Sequence, residues 1–406
     1  MMLVKLAWRN IWRNKLRSLV VVISIGLGIW ALLFLLSFNQ GMIQNYIEDG
    51  INTQTSHLQV HNPKFIADKE LKYFIENPEN VSNALASDPA IDKFSSRILS
   101  TGMVASSKNG LGVNIMGIDV EAEKKISNLS ERLIDGSYLP EGKKNAILIG
   151  AKTAEKLGVK IKSKVVLTFQ DVNQEITSAA FRVFGIYETN NAKFDETNVF
   201  VRKKDLARLT NLPESTVHEF AVLVNDLSII EETTQALQEK FPAQLVESYT
   251  TLSPDLALFE SQSKLSLIIM TTIFMLALIF GIINTMLMAV LERMKELGML
   301  MAIGMNKTKV FFMIVLETIM LAMIGGPIGM ILAWLTIVMV GDKGFDLSAW
   351  GDGMKEFGIA TIIYPTLSFS SYLVVGFAIM LTAVIASIYP ARKAVKLKPV
   401  QALRTI

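Results

Sequence analysis

LSLIIMTTIFMLALIFGIINTMLMAVL, residues 265–291, runs without a charge, and ERMKELGMLMAIGMNKTK, residues 292–309, follows it directly. A helix needs roughly 20 apolar residues to cross the hydrocarbon core of a bilayer, so the first part is long enough to span one. The second part is rich in Leu, Met, Glu, Lys and Ala, which favour helix, and is interrupted by Gly298 and Gly304. Another apolar run, residues 310–340, begins as it ends and is broken only by Glu317. A short helix between two crossings therefore has Met294, Leu297, Met299, Leu300, Met301 and Ile303 to cover. It needs a groove in a partner or a lipid surface to lie on. Its methionines suit a surface that must fit a moving partner, because the side chain is flexible and polarizable.

Two further runs resemble the first: residues 18–47, with a dense core at 19–38, and a stretch within 357–391, with its core at 372–388. The 406 residues are 51% hydrophobic, more apolar than a soluble domain. A net charge of +3 gives no reason to expect a nucleic-acid partner. With no cysteine, disulfides, thiolate metal sites and cysteine nucleophiles are excluded together. The first run is too long for a signal-peptide core, and no small-residue cleavage site follows it closely, so it reads as a retained anchor. The predicted crossings are residues 18–40, 264–291, 310–340 and 359–389.

Basic residues set the orientation. Lys5, Arg9, Arg13, Lys15 and Arg17 precede the first crossing; Arg293, Lys295, Lys307 and Lys309 separate the second from the third; Arg392, Lys393, Lys396, Lys398 and Arg404 follow the fourth. The loop at 341–358 leans acidic, with Asp342, Asp346, Asp352 and Glu356 against Lys343 and Lys355. The positive-inside rule then places both termini and residues 292–309 in the cytoplasm, and residues 41–263 and 341–358 outside. The expected fold is an α-helical membrane protein with four transmembrane helices and a large α/β extracytoplasmic domain between the first and second.

Within residues 1–17, Lys5, Arg9, Arg13 and Arg17 are spaced by four, and Trp8 and Trp12 share that spacing. Such a helix lies in the membrane interface. It serves as an elbow carrying force into the first crossing, or only as a topology signal. Gly26 and Gly28 mark close helix packing. Gly325, Gly326, Pro327 and Gly329 in the third crossing allow a hinge, a dimer seam or local packing. Glu317, two turns past Lys309, falls near the inner interface and can form an ion pair with a cation there; a proton relay would need further partners.

Residues 41–263 have the composition of a soluble domain. Strand-like runs occur at 56–61, 112–118, 146–149, 165–169, 181–187, 198–201 and 219–224, and helical patterns at 79–87, 151–157, 204–209 and 229–240. The strand-rich middle, about 133–201, suggests a β-rich subdomain inserted into an α/β subdomain built from both ends. His57 and His61, four apart in a strand, would lie about 13 Å from one another, too far to share a metal. No HExxH or GxSxG occurs, and Asp68, Glu70, Glu76 and Glu79 read as a solvated cluster. The domain reads as a binding or force-transmitting body without catalytic or metal residues.

Residues 284–333, NTMLMAVLERMKELGMLMAIGMNKTKVFFMIVLETIMLAMIGGPIGMILA, resemble the signature of the MacB/FtsX/lipoprotein-releasing superfamily of ABC transporter permeases. Glu292, Arg293, Glu296, Leu297, Gly298, Ala302, Ile303, Gly304, Glu317, Gly325 and Gly326 match its pattern. AWRNIWRNKLRS (7–18) and YPARKAVKLKPVQALR (389–404) resemble the family's ends. The resemblance implies that residues 292–309 hold a coupling helix seated on a separate ABC ATPase dimer. Its contacts would run through Glu292, Arg293, Lys295, Glu296, Leu297, Gly298, Ile303 and Gly304. It also implies a second permease, copy or paralogue, and an outside domain moved by mechanotransmission. No GxxxxGK[ST] occurs, so no cofactor is expected on this chain and ATP would be bound by the partner subunit; this chain is not expected to be an enzyme. SHLQVHNP (56–63) looks most like the LolC/LolE-type branch, which extracts lipoproteins from the bacterial inner membrane for a periplasmic carrier. MacB-like efflux of a toxin, drug or peptide and FtsX-like regulation of a cell-wall hydrolase are the alternatives.

Overall fold

The long apolar runs become long helices, the third continuing through Pro327 and the fourth through Pro390 although each proline removes one backbone hydrogen bond. The computed structural model describes residues 2–13 and 15–396; Lys398 and Arg404 of the expected basic tail lie outside them. Among the described residues, four helices are long and apolar enough to cross a membrane: Ser18–Thr55, Pro254–Glu292, Lys307–Gly341 and Phe369–Val395. The expected boundaries at 40/41 and 263/264 fall inside helices. Apolar length sets where lipid would end, but the first helix has no stop until a π-turn at Ile51–Thr55 and Ser56 with φ 55°. The second starts at Pro254, whose missing N–H costs nothing in a first turn. The fourth starts at Phe369 rather than 359, after Gly358 at φ +73° and Pro365 have interrupted the chain.

The chain divides into two compact units. The first comprises Met1–Ile43, Ser261–Asp346 and Ile362–Ile406. Its core brings together Ile25, Ile29 and Leu33 of the first long helix, Ile282 and Met286 of the second, Ile314 and Leu321 of the third, and Ile379 and Ala383 of the fourth. Ile268, Phe280, Met323, Trp334 and Phe377 point outward, as lipid-facing residues do. The third helix crosses the first on glycine. A Cβ on Gly329 would lie 2.4 Å from the Gly26 carbonyl oxygen, and one on Gly325 would lie 2.9 Å from that of Val22. Small residues let the two backbones approach, and Trp30 Nε1 donates to Thr336 Oγ1 at 3.1 Å farther along the same seam. Gly325 and Gly329 are thus used for packing within the chain. Gly28 is tight against Leu278 of the second helix, where a Cβ would come to 2.7 Å.

The second unit is Gln44–Glu260 with Leu347–Thr361. Its strands are β1 (Leu58–His61), β2 (Ile91–Ala105), β3 (Gly110–Ile118), β4 (Leu133–Gly136), β5 (Ala146–Gly150), β6 (Lys164–Gln170), β7 (Ile176–Tyr187), β8 (Asn198–Arg202), β9 (Glu219–Val224) and β10 (Leu245–Ser248). Among the described residues they form one sheet in the order β10-β1-β9-β2-β3-β8-β5-β7-β4, with β6 joined to β2 and β7. One core, with Leu58, Val60, Leu85, Phe220, Val222 and Leu237, comes from both ends of the domain. Two others, around Ile115, Ile147, Phe181 and Val199 and around Leu148, Tyr187 and Phe200, come from the middle. This is an α/β part with a β-rich part inserted. The division begins earlier than residue 133, inside β2: residues 91–97 pair with β9, and residues 97–105 pair with β3.

Arg97 sits at that changeover, buried, with Nε and Nη2 donating to Glu123 at 3.0 and 2.6 Å and Nη1 donating to Glu219 at 2.7 Å. The loop between the third and fourth long helices, expected at 341–358 as a separate element, belongs in part to this unit. Lys355 Nζ pairs with Glu188 at 2.8 Å, and Leu347 N donates to the Thr361 carbonyl at 2.7 Å.

His218 is fully buried against the Phe65 ring, at 4.7 Å between centroids, with Nε2 3.0 Å from the Leu71 carbonyl. Burial pushes it down to about 4; Lys203 and His61 add to this, while the Leu71 carbonyl and Glu219 oppose it. Between pH 6.5 and about 4 the unfolded chain takes up a proton that the folded one refuses. The resulting stability is present above pH 6.5 and is lost as pH falls toward 4, by on the order of 3 kcal/mol. Asp195, raised to about 6 mainly by burial, tilts the curve the other way between its ordinary value and pH 6. The two are separated by comparing denaturant unfolding of a 44–260 fragment with its His218→Gln variant across pH 4–7. The variant is expected to lose the His218 share of the acid-side decline, while the shares of His57 and His61, which burial also lowers, and the opposing Asp195 slope remain.

Candidate coupling site

The second long helix ends at Glu292, the backbone turns at Arg293, and a nine-residue helix, Met294–Ala302, follows. Gly304 closes it at φ +103°, a left-handed conformation that glycine adopts without strain. Met305 N donates to the Leu300 carbonyl at 3.0 Å and Gly304 N to that of Met301 at 3.2 Å, so two terminal carbonyls are satisfied. Asn306 then caps the third long helix, its side chain accepting from Thr308 N at 3.1 Å.

This short helix has an inner and an outer face. Leu297 and Gly298 are buried, while Lys295, Glu296 and Met299 are exposed and Ile303, just past the helix end, is 80% exposed. Glu292 is exposed at the end of the preceding helix. Arg293 points inward: Nη1 donates to Glu317 Oε1 and Oε2 at 3.0 and 3.3 Å, and Nη2 donates to the Asn10 carbonyl at 2.8 Å. The two side chains retain only 11% and 6% exposure. Arg293, expected among the contacts of the coupling helix, is thus engaged within the chain. A carboxylate buried on the third helix needs a counter-charge, and the guanidinium of the turn supplies it.

The N-terminal helix, Met2–Arg13, completes the arrangement. Ala7 and Ile11 are buried against this unit, Arg13 forms an ion pair with Glu296, and Trp8 and Trp12 face outward. Sequence reasoning missed Asn10 because its carbonyl, which carries no side-chain signal, makes the contact. A pocket of about 320 Å³ lies between these elements, lined by Leu6, Asn10, Arg293, Glu296, Leu297 and Glu317 among others. Chemically the site offers no nucleophile with a base. It offers a helix fastened on one face by buried charge and bare on the other.

Breaking that fastening should be costly. Arg293→Ala leaves Glu317 buried without its guanidinium, and roughly 3–5 kcal/mol of stability is expected to be lost. Arg293→Met with Glu317→Leu is expected to recover most of it, because neither charge then remains buried. Thermal unfolding in detergent of the single and double variants checks this; equal loss in both would refute it.

Two family profiles match the chain. One described as the FtsX-like permease C-terminal region matches residues 268–399, and one described as the MacB-like periplasmic core domain matches residues 18–240. An uncharacterised ABC transporter permease of Methanocaldococcus jannaschii is 25% identical over 99% of this chain and 97% of its own length. The lipoprotein-releasing system transmembrane protein LolC of Haemophilus influenzae is 22% identical over 96% and 94%. The macrolide export ATP-binding/permease protein MacB of Mannheimia succiniciproducens is 22% identical over 96% of this chain, which spans 59% of that protein. The periplasmic region of MacB from Actinobacillus actinomycetemcomitans aligns with 53% of this chain and 98% of its own at a TM-score of 0.37 and 14% identity. With a core-domain profile over more than half of its length and a permease profile over its last three long helices, the chain belongs to the MacB/FtsX superfamily of ABC transporter permeases, as a multi-pass membrane protein.

Proposed function

We propose that this chain is the mechanotransmission subunit of an ATP-driven ABC transporter, docked through the bare face of Met294–Ala302 and the exposed Ile303 onto a separate ATPase dimer. The observation that carries the reading is the two-faced coupling helix: Lys295, Met299 and Ile303 outward, Arg293 and Leu297 locked inward. A helix fixed on its inner side passes a push from its outer side into the second and third long helices. No phosphate-binding loop occurs in these 406 residues, which supports placing ATP and its hydrolysis on a partner subunit. Both termini and this helix face the cytoplasm of a bacterial plasma membrane, the large domain lies outside, and a second permease completes the pair.

For cargo we favour lipoproteins, extracted from the inner membrane for a periplasmic carrier. Likeness to LolC along 96% of this chain and 94% of that protein supports this. Efflux and hydrolase regulation are the competing outcomes. Depleting the protein discriminates them: acylated proteins held at the inner membrane are expected under lipoprotein release and under neither of the others.

Docking is tested by Ile303→Asp and Lys295→Glu, both on the exposed face. Each is expected to reduce co-purification with the ATPase subunit by about tenfold, as interface hot-spot changes do, with the permease's own thermal stability unchanged. Wild-type recovery of the ATPase with both variants would refute the proposed face.

A further inference from the structure

The connection between the third and fourth long helices carries an unusual run of exposed rings. Phe345, Trp350, Phe357, Tyr364 and Phe369 are 43%, 68%, 74%, 43% and 77% exposed. The stem of this connection is ordered, with Phe345–Asp346 paired antiparallel to Ile362–Ile363 and Phe345 edge-on to Phe38 at 5.8 Å. Beyond the stem, the turn Ser348–Trp350 and the helix Gly351–Glu356 hold Trp350 and Phe357 around an open apolar hollow of about 560 Å³, shared with Met354 and Ile359. The opposite edge of the loop is fixed. Lys355 pairs with Glu188, and Gly358, at φ +73°, sits where a Cβ would come 3.1 Å from the Tyr46 ring.

Two large aromatic side chains left in water forgo about 25 cal/mol for each Å² they could have buried. The chain has placed them between two membrane-crossing helices whose adjoining ends also expose apolar side chains: Val338 and Met339 before the loop, Phe369 and Leu373 after it. Along the sequence, the exposed apolar residues of those helix ends are followed by exposed aromatic ones in the loop. Tryptophan and tyrosine favour the headgroup zone because an apolar body can be buried there while a polar edge stays wet, and a phenylalanine beside them buries its ring at the acyl boundary. Counting crossings puts the loop on the large domain's side of the membrane.

We propose that residues 347–361 form an interfacial anchor, with Trp350 and Phe357 seated among phospholipid headgroups of that leaflet and Lys355 tying the loop's other edge to Glu188 of the domain. The partner is the lipid surface itself.

The test uses the full chain in nanodiscs of phosphatidylcholine and phosphatidylglycerol. The protein has five tryptophans, so the emission of Trp350 is read as the difference between wild type and Trp350→Phe, and independently in a version with Trp8, Trp12, Trp30 and Trp334 changed to Phe. Lipids brominated high on the acyl chain are expected to remove about half of the Trp350 emission, with aqueous iodide removing little, as for a ring at headgroup depth. Strong quenching by iodide with none by bromolipid would overturn the proposal by placing the ring in water. Quenching by neither would overturn it in favour of a second copy or a protein partner covering the loop.

Discussion

A carboxylate on a membrane-crossing helix cannot stay ionised in a low-dielectric surrounding without a positive group against it. Glu317 imposes that demand, and Arg293 meets it from the turn between the second and third long helices. Because a guanidinium is a fork with several donors, the same side chain reaches the Asn10 carbonyl, so the N-terminal helix is drawn into the joint. One charge requirement thus holds three separated pieces of the chain in register. It also explains why Met294–Ala302 can leave apolar residues bare: its position does not depend on covering them.

The domain uses the same device in a different medium. Arg97 is buried with Glu123 and Glu219, and it lies where β2 stops pairing with β9 and starts pairing with β3. The arginine holds β2, β9 and the helix Val120–Ile126 at the changeover between the two parts of the domain. A hydrophobic residue there would fill the space without fixing which carboxylate-bearing elements meet. A bidentate fork fixes both distance and orientation.

How much of this was readable from sequence follows from where each signal resides. The long helices were legible because an uncharged run longer than a bilayer has few other uses, as in residues 265–291. Their ends were not, because helices stop at caps and prolines such as Pro254 and not where lipid stops. β5, β8 and β9 stood out as apolar runs, but β2, IDKFSSRILSTGMVA, did not. Its buried positions include Ser95, Arg97 and Ser100, so its pattern reads as polar although it runs through the middle of the sheet. At the coupling site the residues Glu292 to Gly304 were legible as a motif. Which of them faces inward was not, since that depends on Asn10 and Glu317, distant in sequence and close in space.

The crossing of the third helix over the first at Gly26, Gly325 and Gly329 has a mechanical consequence. Interlocked side chains resist rotation of one helix on another because each ridge must climb out of its groove. Here the ridge is Ile25 and Ile29, which lie against Gly325 and Gly329 where a larger residue would collide, and the Trp30–Thr336 hydrogen bond adds a second fixed point along the seam. The seam therefore behaves as a clasp. It holds both the distance and the angle between the two helices, so a displacement of one is passed to the other.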